Sequence, residues 1–95
     1  EYTAVSVENP LAAQEDVITL AGKCCESGDL IGENMKVSEF KTGEVVAVLS
    51  TGAYNYSMAS NYNRIPRPPV IMVNDGRAKL AVRRETYEDL VRCDL

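Results

Sequence analysis

The chain has 95 residues, of which 45% are hydrophobic and 25% charged, and carries a formal net charge of -4 at pH 7. This is the composition of one ordinary globular domain; it excludes a disordered chain, and the acidic balance argues against nucleic acid as a partner. No apolar run is long enough to span a membrane and no stretch reads as a secretory signal, so the expected location is the cytoplasm.

Charge is unevenly spread. Residues 1–50 hold nine acidic and three basic side chains, residues 51–95 five acidic and seven basic. The plain reading is a set of solvated strand faces; the sharper one is a docking surface. Three cysteines, two of them adjacent at Cys24 and Cys25, point to free thiols in a reducing compartment. With no histidine and no Cys-x-x-Cys, a metal site is not expected. The chain starts at Glu1 rather than methionine, and the expectation is that it was cut from something longer.

Residues 2–8 alternate in the strand period and are rich in β-branched side chains, which predicts a first strand. Asn9-Pro10 breaks it. Leu11 to Gln14 reads as a loop or a single helical turn. Val17 to Ala21 is a second strand, and it delivers the chain to Cys24-Cys25-Glu26-Ser27-Gly28-Asp29. Leu30 to Gly32 runs on into Glu33-Asn34, a turn signal; Met35 to Phe40 is ambiguous. Lys41 to Glu44 is a turn, and Glu44 to Leu49 is the clearest buried strand. Residues 55–63 are polar and small and fit a loop with one helical turn. Pro66, Pro68 and Pro69 impose an extended path. Val70 to Val73, the Asn74-Asp75-Gly76-Arg77 turn and Ala78 to Arg83 form a hairpin. Thr86 is an N-cap for a short helix over 87–91, with acidic residues in its first turn. The fold class is therefore mainly β: about six strands and one short C-terminal helix, arranged as a barrel or sandwich.

The stretch from Cys24 to Asp29 concentrates reactive groups. A nearby negative charge disfavours a thiolate, so a cysteine here is a proton donor rather than a nucleophile, and no histidine exists to activate it. The plainer reading of Cys25 is a small apolar residue at a strand end. Glu26 can bind a substrate ammonium or simply face water. Asp29 reads as structural, accepting backbone N–H bonds within the turn. Tyr54, at the exit of the strand over 44–49, can offer its hydroxyl to a phosphate or carboxylate, or pack its ring. Tyr56 and Tyr62 read as packing groups, and residues 61–67 as an interface segment or a polar loop. Arg83-Arg84-Glu85 reads as a strand-end charge pair.

Cys25-Glu26-Ser27-Gly28-Asp29, Gly52-Ala53-Tyr54, Ser57 to Asn63, Arg67-Pro68 and Arg84 to Leu90 occur in that order. In this succession the chain, from about Tyr2 to Leu90, resembles the C-terminal part of the diaminopimelate decarboxylase family, whose Cys-Glu-Ser-Gly-Asp turn sets it apart from the ornithine and arginine decarboxylases. The resemblance implies that residues 1–95 are the C-terminal β domain of a longer, pyridoxal-phosphate-dependent lyase of lysine biosynthesis. It implies an N-terminal TIM-type barrel carrying the cofactor lysine, and a homodimer whose active site lies between the barrel of one subunit and this domain of the other. Cys25 is then the proton donor, Glu26 binds the distal amino group of meso-diaminopimelate, and Tyr54 contacts cofactor phosphate and substrate. Lys23, Lys36, Lys41 and Lys79 are the only lysines, and none stands in the family's cofactor-lysine context. The chain alone is therefore expected to be inactive and to self-associate through faces the rest of the enzyme would cover. Two alternatives stay open: a sibling decarboxylase of another basic amino acid, and a non-catalytic β domain used for binding or dimerisation.

Overall fold

The computed structural model describes residues 2–95 and is built mainly of strands, in two compact units divided between Tyr56 and Ser57. The first unit holds β1 (Ala4–Ser6), β2 (Asp16–Ala21), β3 (Leu30–Val37) and β4 (Val46–Val48). The second holds β5 (Val70–Asn74), β6 (Arg77–Val82) and the helix α2 (Tyr87–Val91). A four-residue helix, α1 (Asn55–Met58), straddles the division in sequence. Strand number and the C-terminal helix match the sequence reading. Closure does not: the strands pair as three separate antiparallel ladders, β1 with β4, β2 with β3 and β5 with β6. The described residues form no closed barrel.

The first ladder sets Ala4 opposite Val48 and Ser6 opposite Val46. Backbone bonds from Leu49 N–H to the Thr3 carbonyl (2.8 Å) and from Val7 N–H to the Val45 carbonyl (3.1 Å) extend it at both ends. The core is small. Ala4 and Val37 are fully buried, and the polar Ser6 and Ser38 are buried as well. Ser6 Oγ is held by the Glu44 carboxylate, whose other oxygen accepts the Lys41 N–H at 2.9 Å. That pair explains how a serine can be buried and how the turn over residues 41–44 is closed. The hydrogen bond from Ser6, followed by that from the Lys41 backbone, holds the Glu44 carboxyl below its usual range.

Two expectations for this unit are corrected. The apolar run over 44–49 forms a strand only at Val46–Val48, and these residues are half-buried rather than core. Its hydrophobicity outruns what the four strands of this unit can cover: Val45 and Leu49 stand in solvent. Glu33-Asn34 is not a turn. β3 runs straight through it, Asn34 taking a positive φ of 53° within the strand while the pairing with β2 shifts register twice. Asparagine is one of the few side chains that tolerate this left-handed conformation, so the same signal that reads as a turn serves as a strand irregularity.

The second unit is a hairpin, a loop and a capped helix. Asp75 and Gly76 both have positive φ, 52° and 71°, the geometry of a tight two-residue hairpin turn. Ile71 pairs with Leu80 and Val73 with Ala78, so their side chains share one face of the ladder, and Ile71, Val73 and Leu80 are exposed there. Thr86 caps α2 through a reciprocal pair: its hydroxyl accepts the Asp89 N–H, and the Asp89 carboxylate accepts the Thr86 N–H at 2.8 Å. The charge pair expected at Arg83-Arg84-Glu85 is partnered differently. Arg83 forks onto Asp89 (2.6 and 3.0 Å), whereas Glu85 turns to the loop, accepting the Arg67 N–H at 2.6 Å and the Asn61 amide at 2.7 Å. Asn61 also donates to the Ile65 carbonyl. Residues 61–67 are therefore an ordered loop pinned by one carboxylate.

Candidate functional site

β2 and β3 are the two arms of a hairpin, and the reactive stretch is its loop. Antiparallel pairing runs up to Ala21 opposite Leu30. Just beyond it the Gly22 N–H donates to the Asp29 carbonyl at 2.7 Å and closes the loop at its base. Residues 23–28 project from that base. Ser27–Asp29 wind into a single 3-10 turn capped by Glu26, whose Oε1 accepts the Gly28 N–H at 2.8 Å. The Asp29 N–H returns to the Glu26 carbonyl at 3.0 Å. A serine, a glycine and an aspartate favour such a tight turn because none of them prefers a regular strand.

Cys25 and Glu26 are adjacent on this loop and both are exposed, while Cys24 is half-buried; no disulfide joins the three cysteines. Burial first, and then the charge and hydrogen bond of Asp29, push the Cys24 thiol up from its ordinary value. The acidic neighbourhood expected to keep a thiol protonated thus acts, together with burial, on Cys24, a residue to which sequence reasoning gave no role. The capping bond engages Glu26 Oε1, and a carboxylate has a second oxygen with which to meet an incoming cation. Asp29 accepts the Cys24 N–H through Oδ2 at 2.8 Å, the backbone-accepting part anticipated for it.

Tyr54 is on a different loop, between β4 and α1, where the Asn55 N–H donates to the Thr51 carbonyl and Ser50 takes a positive φ of 61°. Its side chain is 68% exposed. Tyr56 and Tyr62, read as packing groups, are partly exposed, each by a little over two-fifths. The sequence brings Cys25 and Glu26 together by adjacency; Tyr54 stands apart from them in the chain.

A cavity of about 650 Å³ also opens in the first unit, lined in part by Glu8, Glu15, Asp16, Glu39 and Glu44, with Lys41 the one cation. Carboxylates of this number repel a phosphate, so the cavity does not suit pyridoxal phosphate. Lys23, Lys36 and Lys79 are exposed, on a loop and on strands. Neither this cavity nor these exposed lysines make a cofactor pocket. What they offer is an exposed thiol, carboxylate and phenol of the kind that complete a pocket from one side. No group of metal-ligating side chains occurs among the described residues, and no helix is long and apolar enough to cross a membrane.

Residues 1–52 match the family described as the pyridoxal-dependent decarboxylase C-terminal sheet domain, and the chain belongs to that family. Among relatives, the diaminopimelate decarboxylase of Bacillus subtilis is 50% identical over 95 residues, all of this chain and 22% of that protein. That of Halalkalibacterium halodurans is 56% identical over 79 residues, 83% of this chain and 18% of that protein. A solved diaminopimelate decarboxylase from M. jannaschii superposes with a TM-score of 0.85 at 32% identity, covering 99% of this chain and 21% of that one. The structure of the same enzyme in complex with L-lysine gives 0.83 at 33%, covering 97% and 21%. The chain spans about a fifth of the length of these relatives.

Proposed function

We propose that this chain is the C-terminal domain of a diaminopimelate decarboxylase, a lyase that converts meso-2,6-diaminopimelate to L-lysine and CO₂. The observation that carries the proposal is the β2–β3 loop, which presents the Cys25 thiol and the Glu26 carboxylate side by side in solvent on a braced turn. The half-identity to an enzyme of that name across the whole chain supports it. The cofactor and its lysine belong to a barrel domain elsewhere in the protein, and the loop reaches the active site of a second subunit in a homodimer. The exposed apolar face of β5 and β6 fits a domain covered by other parts of an enzyme. Three cysteines held in no disulfide suit a cytoplasmic setting.

When bound, pyridoxal phosphate supplies the electron sink that allows the α-carboxylate to depart as CO₂. The part left to this chain is recognition and proton delivery. Glu26 accepts the ammonium at the far end of the substrate with the carboxylate oxygen that does not cap the turn. A substrate lacking that ammonium would leave the carboxylate unpaired in a closed site, which is a source of selectivity. Cys25 gives its proton to the α-carbon from which CO₂ has left, so that a C–H bond replaces the C–C bond, and the thiolate recovers a proton from water. Tyr54 turns its hydroxyl to an anionic oxygen of cofactor or substrate.

The test is Cys25→Ala in the full-length enzyme. Turnover of diaminopimelate should fall by about a hundredfold or more, the usual weight of a positioned acid, with cofactor absorbance unchanged. Unchanged turnover would reduce Cys25 to a strand-end residue and leave the domain a scaffold.

A further inference from the structure

A six-residue hairpin loop is long enough to sample several backbone conformations. In the loop over 23–28, three contacts converge on one residue and restrict it. The Asp29 carbonyl accepts the Gly22 N–H at 2.7 Å, its N–H donates to the Glu26 carbonyl at 3.0 Å, and its carboxylate Oδ2 accepts the Cys24 N–H at 2.8 Å. Asp29 is thereby tied to the residue at the loop base, to the residue before Cys25, and to Glu26.

Gly22 supplies the second observation. Its φ is outside the left-handed region, so its backbone is open to any L-residue. Space is what it provides: a Cβ at position 22 would lie 2.1 Å from Asp29 Oδ2, 2.2 Å from Oδ1 and 2.3 Å from Cγ. No pair of atoms tolerates such distances, so the carboxylate rests directly over a glycine that makes room for it.

We propose that Asp29 is a positioning residue: its carboxylate, seated over Gly22 and holding the Cys24 amide, fixes the direction in which the loop presents Cys25 and Glu26. The inference rests on the reading of those two residues as proton donor and ammonium acceptor. Losing the anchor lets the thiol wander, and a displacement of about 1 Å at a reacting group lowers a rate by roughly a hundredfold. Cys24 reports on the same clamp, because the Asp29 carboxylate helps hold that thiol protonated. Removing the carboxylate lowers the Cys24 pKa, raises its thiolate fraction at a given pH, and speeds its alkylation.

The experiment uses the full-length enzyme and the variants Asp29→Ala, Asp29→Asn, Gly22→Ala and Gly22→Ala/Asp29→Ala, with Cys25→Ala as reference. Steady-state kinetics, cofactor absorbance and the iodoacetamide alkylation rate of Cys24, resolved by peptide mass spectrometry across pH 7–9, are the readouts. The clamp predicts a fall in kcat of roughly tenfold to a hundredfold for Asp29→Ala and Gly22→Ala, with absorbance retained. Asp29→Asn, which keeps an oxygen for the Cys24 N–H, should recover most of the loss. Cys24 should alkylate faster in Asp29→Ala. In the double variant, Gly22→Ala should cost nothing further, since the space it needs has been vacated. Full kcat in Asp29→Ala beside a crippled Cys25→Ala would overturn the inference and leave the function standing. Equal losses for Asn and Ala, or additive losses at 22 and 29, would also overturn it. Normal turnover in Cys25→Ala would remove the underlying function instead; the clamp is then decided by Cys24 alkylation in the single and double variants, which needs no turnover. Should Asp29→Ala fail to fold, the Asn and Gly22 variants carry the decision.

Discussion

Glu26→Gln separates the two duties of one carboxylate. Oε1 accepts the Gly28 N–H at 2.8 Å, and glutamine keeps a carbonyl oxygen that can take that place. The 3-10 turn should therefore survive, whereas Glu26→Ala would also forfeit a cap worth about 1 kcal/mol. What glutamine removes is the charge that faces the distal ammonium of diaminopimelate. A hydrogen bond to a charged partner contributes about 1.5–3 kcal/mol. At about 1.4 kcal/mol per decade, the loss is roughly tenfold to a hundredfold in kcat/KM. The assay compares diaminopimelate with 2-aminopimelate, which has the same chain length and both carboxyls but no distal amine. Wild type should prefer diaminopimelate by at least that factor, and the Gln variant should lose the preference by slowing on diaminopimelate alone. A variant that slows equally on both substrates, or keeps the full preference, would refute the assignment of Glu26 to the ammonium.

Three further expectations concern the fold. Val37 is fully buried, so Val37→Ala deletes two methyl groups and leaves a void, costing about 2–3 kcal/mol in a urea titration. Val73→Ala, at a site 71% exposed, should stay within about 0.5 kcal/mol; equal effects would mean the core has been misplaced. Gly76 has a φ of 71° with open space around it, so Gly76→Ala should cost about 1–2 kcal/mol through backbone strain alone. A thermal midpoint that does not move on this change would argue against the tight turn. Finally, Glu44, Glu85 and Asp89 are held below their unfolded values: Glu44 by Ser6 and the Lys41 backbone, Glu85 by the Arg67 backbone and Asn61, Asp89 by Arg83 and the Thr86 backbone. A depressed carboxylate adds stability that is complete above its unfolded pKa and disappears as pH falls through its folded one. Melting temperature should hold steady above about pH 5 and decline below about pH 4; a midpoint that climbs on acidification would contradict these partners.

Local signals were legible wherever a few neighbouring residues decide the outcome. Asn74-Asp75-Gly76-Arg77 forms its hairpin because Asp and Gly accept positive φ. Thr86 caps residues 87–91 because its hydroxyl and the Asp89 carboxylate lie one turn apart. Cys25 and Glu26 share a loop by adjacency, and Asp29 binds the loop backbone because a short carboxylate reaches little else.

Tertiary structure decided what depends on distant partners. The run over 44–49 is as apolar as a core strand, yet its strand is only Val46–Val48 and is half-buried, since burial depends on what lies opposite and Ala4 to Ser6 is a short partner. Glu33-Asn34 carries a turn signal but lies inside a strand, at a register shift between the pairs Ile18–Met35 and Leu20–Gly32 that hold β3 to β2 on either side. Arg83 and Glu85 are near in sequence and find other partners, Asp89 and Arg67, through the fold. The need for glycine at position 22 is equally invisible in sequence: it follows from a carboxylate seven residues away that the hairpin folds back over it. Sequence by itself determined the strand-rich class, the turn chemistry and the reactive loop, all governed by dihedral preferences and neighbours within a few positions. Which strands pair, which thiol feels the carboxylate and what space each residue has depend on how the chain folds back on itself, across β1 and β4 or within the β2–β3 hairpin, and only the folded arrangement supplies that.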